Sequence, residues 1–266
     1  MTRQIRSWAE KHVFLSDFQI PDQNDVALGL VNTFIQDFVP DKIHLVGDIL
    51  NFTKVAKYDQ DPYYHVGMRD EIAIGRKILK ELIRVARKAN PDTEIIWYEG
   101  NHENRLIKYL SRNASALAEI TGDDGEYVNS IPHLFNLKGI GVKWIGYSQR
   151  HFEHGIRIEH GNVVRGKAGH TAHAMLDKRG ASGFSGHTHR LAMVMRTQGE
   201  HQRFWVELGS LCNFEFESPY TTDPDWQNGF AFGHYSSETR QFYPTVVPIV
   251  NNTFVANGKL YGTRRK

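Results

Sequence analysis

Residues 94–103 read EIIWYEGNHE: the apolar run IIWY stops at Glu99, and a glycine then leads straight into Asn-His-Glu. A short β-branched and aromatic run of this kind predicts a strand buried on both faces, because nothing in it alternates with polar residues. The same pattern recurs on either side: HVFLSD (12–17) and KIHLVGD (42–48) before it, IRIEHG (156–161) and ASGFSGHTH (181–189) after it. Between the second and third runs, residues 68–90 repeat Ile72, Ile78, Leu79, Leu82, Ile83 and Val85 at helical spacing until Asn90-Pro91 ends them. NHENRLIKYLSRNASALAEI (101–120) predicts another helix starting just after Gly100, and TAHAMLDKRG (171–180) a shorter one. Strands alternating with helices make an α/β protein, in which polar residues at strand ends gather along the carboxyl edge of a sheet. Beyond about residue 200, RFWVELGS, NGFAFGHYS and PTVVPIV read as strands without intervening helices, so pairing there is expected to be antiparallel or mixed. With no internal repeat and no Pro/Ser-rich linker, residues 1–266 are expected to form a single domain.

The bulk properties narrow the function classes. At 266 residues and 40% hydrophobic content the chain can bury a sizeable core. Thirty-two basic against thirty acidic residues leave a formal charge of +2, so no global field favours nucleic acid or a membrane surface. Cys212 is the only cysteine and cannot form an internal disulfide, which suits a reducing compartment. No stretch approaches the ~20 apolar residues that span a bilayer, and the N-terminus lacks a signal-peptide pattern, so a cytoplasmic protein is expected, with no membrane partner.

The strand-end residues carry the chemistry: Asp17 and Gln19, Asp48, Asn101 and His102, His160, and His187 and His189. Carboxylates, an amide oxygen and imidazoles form a mixed oxygen and nitrogen set that suits Mn²⁺, Fe or Zn²⁺ better than Ca²⁺. With His102 left out, the seven remaining side chains exceed what one tetrahedral ion needs and match two ions sharing a carboxylate. Bland readings compete: Asp48 alone could cap a strand, and His151, His154, His170 and His173 lie near enough to compete with His160.

In order, the elements D-x-(H), GD-x-x-(D/N), GNH(E/D), HG and GH-x-H over residues 17–189 resemble the calcineurin-like metallophosphoesterase superfamily. The resemblance implies an αββα fold, a β-sandwich flanked by helices, with two divalent ions at its edge. It implies that Asp17, Gln19 and His189 hold the first ion, that Asn101, His160 and His187 hold the second, and that Asp48 bridges them. His102 would be the catalytic histidine, and a metal-bridging hydroxide would attack phosphorus. WQNGF (226–230) is similar to a string in phage and mobile-element members, which would place the protein in the host cytoplasm.

The chain also departs from that pattern. Gln19 stands where many members carry histidine; as a weaker donor it is expected to loosen the first site or favour Mn²⁺ or Mg²⁺. Asn51 stands where protein phosphatases carry the aspartate that pairs with the catalytic histidine, and it can still accept a hydrogen bond from His102 without adding charge. Glu99 replaces an arginine that clamps phosphomonoesters, leaving Arg105, Arg165 or Arg190 to supply positive charge, with His170 a further candidate for substrate contact. Trp205, Phe214, Phe216, Trp226 and Phe230 either lie over the cleft and stack on a base or pack a second sheet. The reading is therefore a dimetal phosphoester hydrolase, Mn²⁺ being the expected metal. A phosphodiesterase or nuclease acting on nucleotides or nucleic acid is favoured over a phosphomonoesterase. The alternatives are a binding protein that kept the fold and lost catalysis, and a repair-type nuclease that recruits a partner; the sequence specifies no protein partner.

Overall fold

Period-two geometry sorts the central apolar runs onto two faces of one sheet. In the computed structural model, which describes residues 9–58, 62–123, 125–214 and 224–263, the N-terminal part contains β1 (Ala9–Leu15), α1 (Asp25–Phe38), β2 (Lys42–Leu45), α2 (Met68–Ala89) and β3 (Glu94–Tyr98). There follow α3 (Asn104–Asn113), α4 (Ser115–Ala118), α5 (Ile131–Leu134), β4 (Val142–Ile145), β5 (His151–Glu153), β6 (Ile156–Ile158) and α6 (His170–Arg179). The C-terminal part holds β7 (Gly183–Ser185), β8 (Leu191–Gln198), β9 (His201–Leu208), β10 (Gly229–Ser236), β11 (Gln241–Pro248), β12 (Phe254–Ala256) and β13 (Lys259–Tyr261). One sheet runs β11-β10-β1-β2-β3-β4, the other β5-β6-β7-β9-β8, and β12-β13 form a hairpin. β1 to β4 are parallel, as are β6, β7 and β9, whereas the later β8-β9 and β10-β11 pairs are antiparallel. The expected change of texture near residue 200 is therefore present.

Three hydrophobic cores separate four layers. Val13, Leu15, Ile43, Leu45, Ile95 and Trp97 pack outward against α1 and α2. Their neighbours Phe14, Ile96 and Tyr98 point the other way, joining Ile158, Phe184 and Val206 of the second sheet. Trp205 on that sheet's outer face packs under Met175 and Leu176 of α6. Helix, sheet, sheet, helix is the αββα order expected. The Phe14 and Phe184 rings stack at 3.8 Å and join the two sheets, so truncating either to alanine should cost ~3–5 kcal/mol. Among the described residues no helix is long and apolar enough to cross a membrane.

Two helices differ from expectation. α1 was not foreseen, although Leu28, Val31, Phe34, Ile35 and Phe38 fall at helical spacing and the Asn24 side chain caps it by accepting from the Ala27 amide at 3.0 Å. The single helix expected over 101–120 is divided. Residues 101–103 form a turn because their polar groups face the strand ends, and the helix stops at Asn113, whose side chain donates to the Tyr109 carbonyl at 2.9 Å. A short α4 follows the non-helical Ala114.

Candidate metal centre

The strand-end residues converge because successive loops zip together. The Asp17 amide donates to the Gly47 carbonyl at 3.0 Å and the Gln19 amide to that of Asp48 at 3.1 Å. The Leu211 amide returns to the Asp17 carbonyl at 3.0 Å. Asp17 and Asp48 are buried, and five positions here, Asp17, Gln19, Asp48, His187 and His189, adopt left-handed φ between 50° and 76°. Left-handed backbone at a residue with a side chain costs ~1–2 kcal/mol, so this edge holds strain that the rest of the fold must offset. Two glycines are required by close approach. A Cβ at Gly100 would strike the Asp48 amide and carboxylate, and one at Gly186 would strike Ser16 Oγ and the Asp17 carboxylate.

The side chains meet in two overlapping groups. Asp48 Oδ2 lies 3.1 Å from His160 Nε2, which is also 3.1 Å from Asn101 Oδ1. Asp48, His160 and His187 offer ligand atoms all within 4.8 Å of one another. In the other group, Asp17 Oδ1 lies 3.2 Å from His189 Nε2 yet is buried without a hydrogen-bond partner. A buried carboxylate oxygen left unpaired beside an imidazole nitrogen is the arrangement two ligands of one cation adopt. The residues present therefore fit divalent ions. His160 Nδ1 faces the Val46 carbonyl at 2.8 Å, leaving Nε2 free to coordinate. Gln19 reaches the same place, its Nε2 3.5 Å from Asp48 Oδ2 and 3.4 Å from His189 Nε2. The amide nitrogen rather than the oxygen faces the group, and a half-turn of the terminal amide would present the oxygen.

Electrostatics follow from burial and the two aspartates. Burial opposes a charge on His160, but Asp48 beside it prevails and draws its pKa up to about 9. Asp17 likewise overcomes burial at His189, drawing it up to about 10. Asp48 is itself held below the usual carboxylate range, where the attraction of His102 and His160 outweighs burial.

His102 is bound on three sides. Its amide donates to Asp48 Oδ1 at 2.9 Å, its Nδ1 lies 3.2 Å from Asn51 Oδ1, and its Nε2 lies 2.7 Å from an Arg105 guanidinium nitrogen. Arg105 also donates to the Asn51 carbonyl at 2.7 Å. Arg190 instead points to the Arg165 carbonyl and Asp225, and His170 is exposed at the start of α6, with no hydrogen bond to this group among the described residues. Glu99 accepts from Asn104 and from the Tyr147 amide.

Three supporting carboxylates escaped the sequence reading. Asp22 Oδ2 accepts from Asn51 Nδ2 at 2.6 Å, which turns the Asn51 oxygen toward His102. Glu103 is buried and accepts from the amides of Asp48, Ile49, Leu50 and Gly100 at 2.7–3.1 Å, stitching the second and third loops together. Burial and Asp48 push its carboxyl up, while the four amides favour its ionised form. Glu207 accepts from Thr188 and from the Gly169 and Ala172 amides, fixing the His-Thr-His turn to the start of α6. The sequence signals for such groups were the acidic fourth position of GNH(E/D), which Glu103 fills, and an acidic residue within an apolar strand, which Glu207 shows in WVEL.

The aromatic C-terminal segment divides. Trp205 and Phe230 belong to the cores, whereas Trp226 is half-buried with its ring 4.7 Å from that of His189, backed by Phe214 at 5.8 Å. Phe216 lies outside the described residues. A cavity of about 130 Å³ opens beside His160, lined by Tyr147, Arg150, Arg157 and Arg179.

No family model matches the chain. It is 27% identical over 271 residues to the gene 54 protein of Mycobacterium phage L5, the alignment covering 95% of this chain and 99% of that one. Among solved structures it is similar to Vps29 of Chaetomium thermophilum (13% identity, TM-score 0.45, 97% of each chain). It is also similar to the nuclease MPE of Pseudomonas putida (12% identity, TM-score 0.36, 88% of this chain and 87% of that one).

Proposed function

We propose that this chain, a member of the calcineurin-like metallophosphoesterase superfamily by its αββα fold and ordered strand-end motifs, is a dimetal phosphoester hydrolase working as one catalytic domain. The observation that carries the reading is the meeting of buried Asp17 and Asp48 with Asn101, His160, His187 and His189, with Asp17, Asp48, His187 and His189 on left-handed backbone. Asp17, Gln19 and His189 would hold one ion, Asn101, His160 and His187 the other, with Asp48 between them. Such ions, when bound, supply Lewis acidity toward phosphoryl oxygens and lower the pKa of water, Mn²⁺ suiting the mixed ligands and Gln19 best.

The protein's own residues do the rest. His102, with Nδ1 held by Asn51, presents Nε2 at the edge of the group, where it would contact the phosphoryl group, take up the proton released by the attacking water and hand it to the departing oxygen. Arg105, on that same nitrogen, supplies the positive charge that Glu99 does not, and turns from His102 to the phosphoryl oxygens when substrate enters. Asp22 acts through Asn51 as a positioning residue. Among the described residues Arg190 and His170 make no hydrogen bond to the group, and their part is confined to more distant portions of a substrate.

A phosphodiester, in a nucleotide or nucleic acid, suits the site better than a monoester. Position 99 is a glutamate and offers no clamp for a dianionic terminal phosphate, and the half-buried Trp226 beside His189 offers a face on which a base can stack. The likeness to a mycobacteriophage protein supports a phage origin and action in the host cytoplasm. The test is hydrolysis of bis-p-nitrophenyl phosphate against p-nitrophenyl phosphate with Mn²⁺: faster turnover of the diester is expected, and a strong preference for the monoester would reverse the assignment. One observation favours a second reading, a binding protein that kept the fold and lost catalysis, namely the amide nitrogen that Gln19 turns toward Asp48 and His189. Absence of turnover together with absence of bound ion would establish that reading instead.

A further inference from the structure

The other end of β1 brings together a second set of metal-competent side chains. Glu10 and His12 share one face of β1, and His154 comes from the second sheet, in the turn joining β5 to β6. His154 Nε2 lies 2.7 Å from Glu10 Oε2, His12 Nε2 lies 3.4 Å from Glu10 Oε1, and ligand atoms of all three fall within 4.8 Å of one another. His12 is fully buried, and its Nε2 has no hydrogen-bond partner. Leaving such a nitrogen unsatisfied is costly in a protein interior. Its Nδ1 is held 3.0 Å from His44 Nε2, and His44 Nδ1 lies 3.0 Å from the Tyr98 hydroxyl. A histidine whose second nitrogen is fixed by a hydrogen-bonded chain is oriented as metal-ligating histidines are.

We propose that Glu10, His12 and His154 form a separate site for a divalent transition-metal ion, Zn²⁺ being the best match to two imidazoles and one carboxylate. An ion there ties the first strand of one sheet to the β5-β6 hairpin of the other. It stands about 16 Å along β1 from Asp17, at ~3.3 Å per residue. Lys42 bears on the affinity: its Nζ lies 2.9 Å from Glu10 Oε1 and 2.5 Å from Glu153 Oε1. It occupies one oxygen of Glu10 and leaves Oε2 facing His154, and its charge makes the site weaker than a closed structural zinc site.

The site is tested by counting ions and by thermal unfolding, neither of which depends on phosphoester turnover. In an Asp48→Asn background, which weakens the proposed catalytic edge, the protein equilibrated with Zn²⁺ and dialysed is analysed for metal with and without His154→Ala. The expected result is one fewer Zn²⁺ per chain in the double variant, with loss of the Zn²⁺-induced rise in Tm. His154 is partly exposed, so its truncation is expected to fold; Glu10→Gln, which keeps the side-chain shape, gives an independent reading of the same count. An unchanged count and an unchanged rise in Tm in both variants would overturn the proposal.

Discussion

The two ends of the central parallel strands use the same residue types to opposite effect. At the carboxyl end, Asp17 and Asp48 lie buried beside His160 and His189 and draw those histidines up to about 9 and about 10 against their burial. At the amino end, burial prevails and holds His12 down at about 4 and His44 well below its usual value, while Lys42 shares Glu10 with His154 and Glu153 with His151. The carboxyl end is thus a concentration of negative charge that calls for cations. The amino end already holds the Lys42 ammonium, so an ion proposed at Glu10, His12 and His154 binds more weakly there and serves to join the sheets. Histidine count alone does not distinguish these uses; the side chain that faces each imbalance does.

The largest expected effect breaks the comparison at its carboxyl end. Asp48→Asn should reduce diester turnover by ~10³-fold or more while leaving far-UV circular dichroism unchanged, because a bridging carboxylate acts on both ions at once. Retention of turnover within tenfold would remove Asp48 from the machinery.

A pH titration of metal binding comes next. A proton and a metal ion compete for the same imidazole lone pair, and His160 and His189 stay protonated up to about 9 and about 10 without a metal. Mn²⁺ affinity should therefore rise with pH, by up to about tenfold per histidine per unit below pH 9. Calorimetric titrations at pH 6.5, 7.5 and 8.5 check this, and a pH-independent affinity would contradict the charge assignment.

Asp22→Asn should lower kcat by ~10-fold with KM little changed, because the Asn51 amide is then free to turn its nitrogen toward His102. Adding Asn51→Asp, which offers an oxygen in either orientation, should recover most of the loss. A merely structural Asp22 would not be rescued in this way.

The amino end supplies the smallest effects. Glu153→Gln should leave turnover unchanged and cost ~1–2 kcal/mol in urea unfolding, through loss of the charge-assisted hydrogen bond from Lys42 and the attraction of His151 at 3.5 Å. Those interactions hold Glu153 below its usual range, so its contribution is present above the ordinary carboxyl value of 4.5 and is lost as pH falls. The variant and wild type should converge in stability in acid.

What could be read directly from the chain was whatever a short segment decides locally. Apolar runs ending in Gly-Asp, Gly-Asn-His and Gly-His-Thr-His placed the strands and the strand-end side chains, since alternation and glycine depend on neighbours only. The helix over 68–90 was equally plain, because a long period in a polar background admits one explanation. α1 went unread because Leu28, Val31, Phe34, Ile35 and Phe38 follow directly on the strand-end residues, with the start marked only by Asn24.

Tertiary structure alone decided how side chains distant in the chain come to face one another. Asp22, Glu103 and Glu207 act through backbone amides and side chains that packing brings to them, so residue type and spacing could not reveal which groups they hold. Trp205 and Trp226 are the same residue in one aromatic segment, yet one fills the core under α6 and the other borders His189. Likewise His12 and His160 each lie in or just after a buried strand, and only the tertiary packing sets one beside His154 and the other beside Asp48. Local pattern specifies which groups reach a strand end, whereas desolvation and Coulomb attraction depend on through-space distances that only the folded chain fixes.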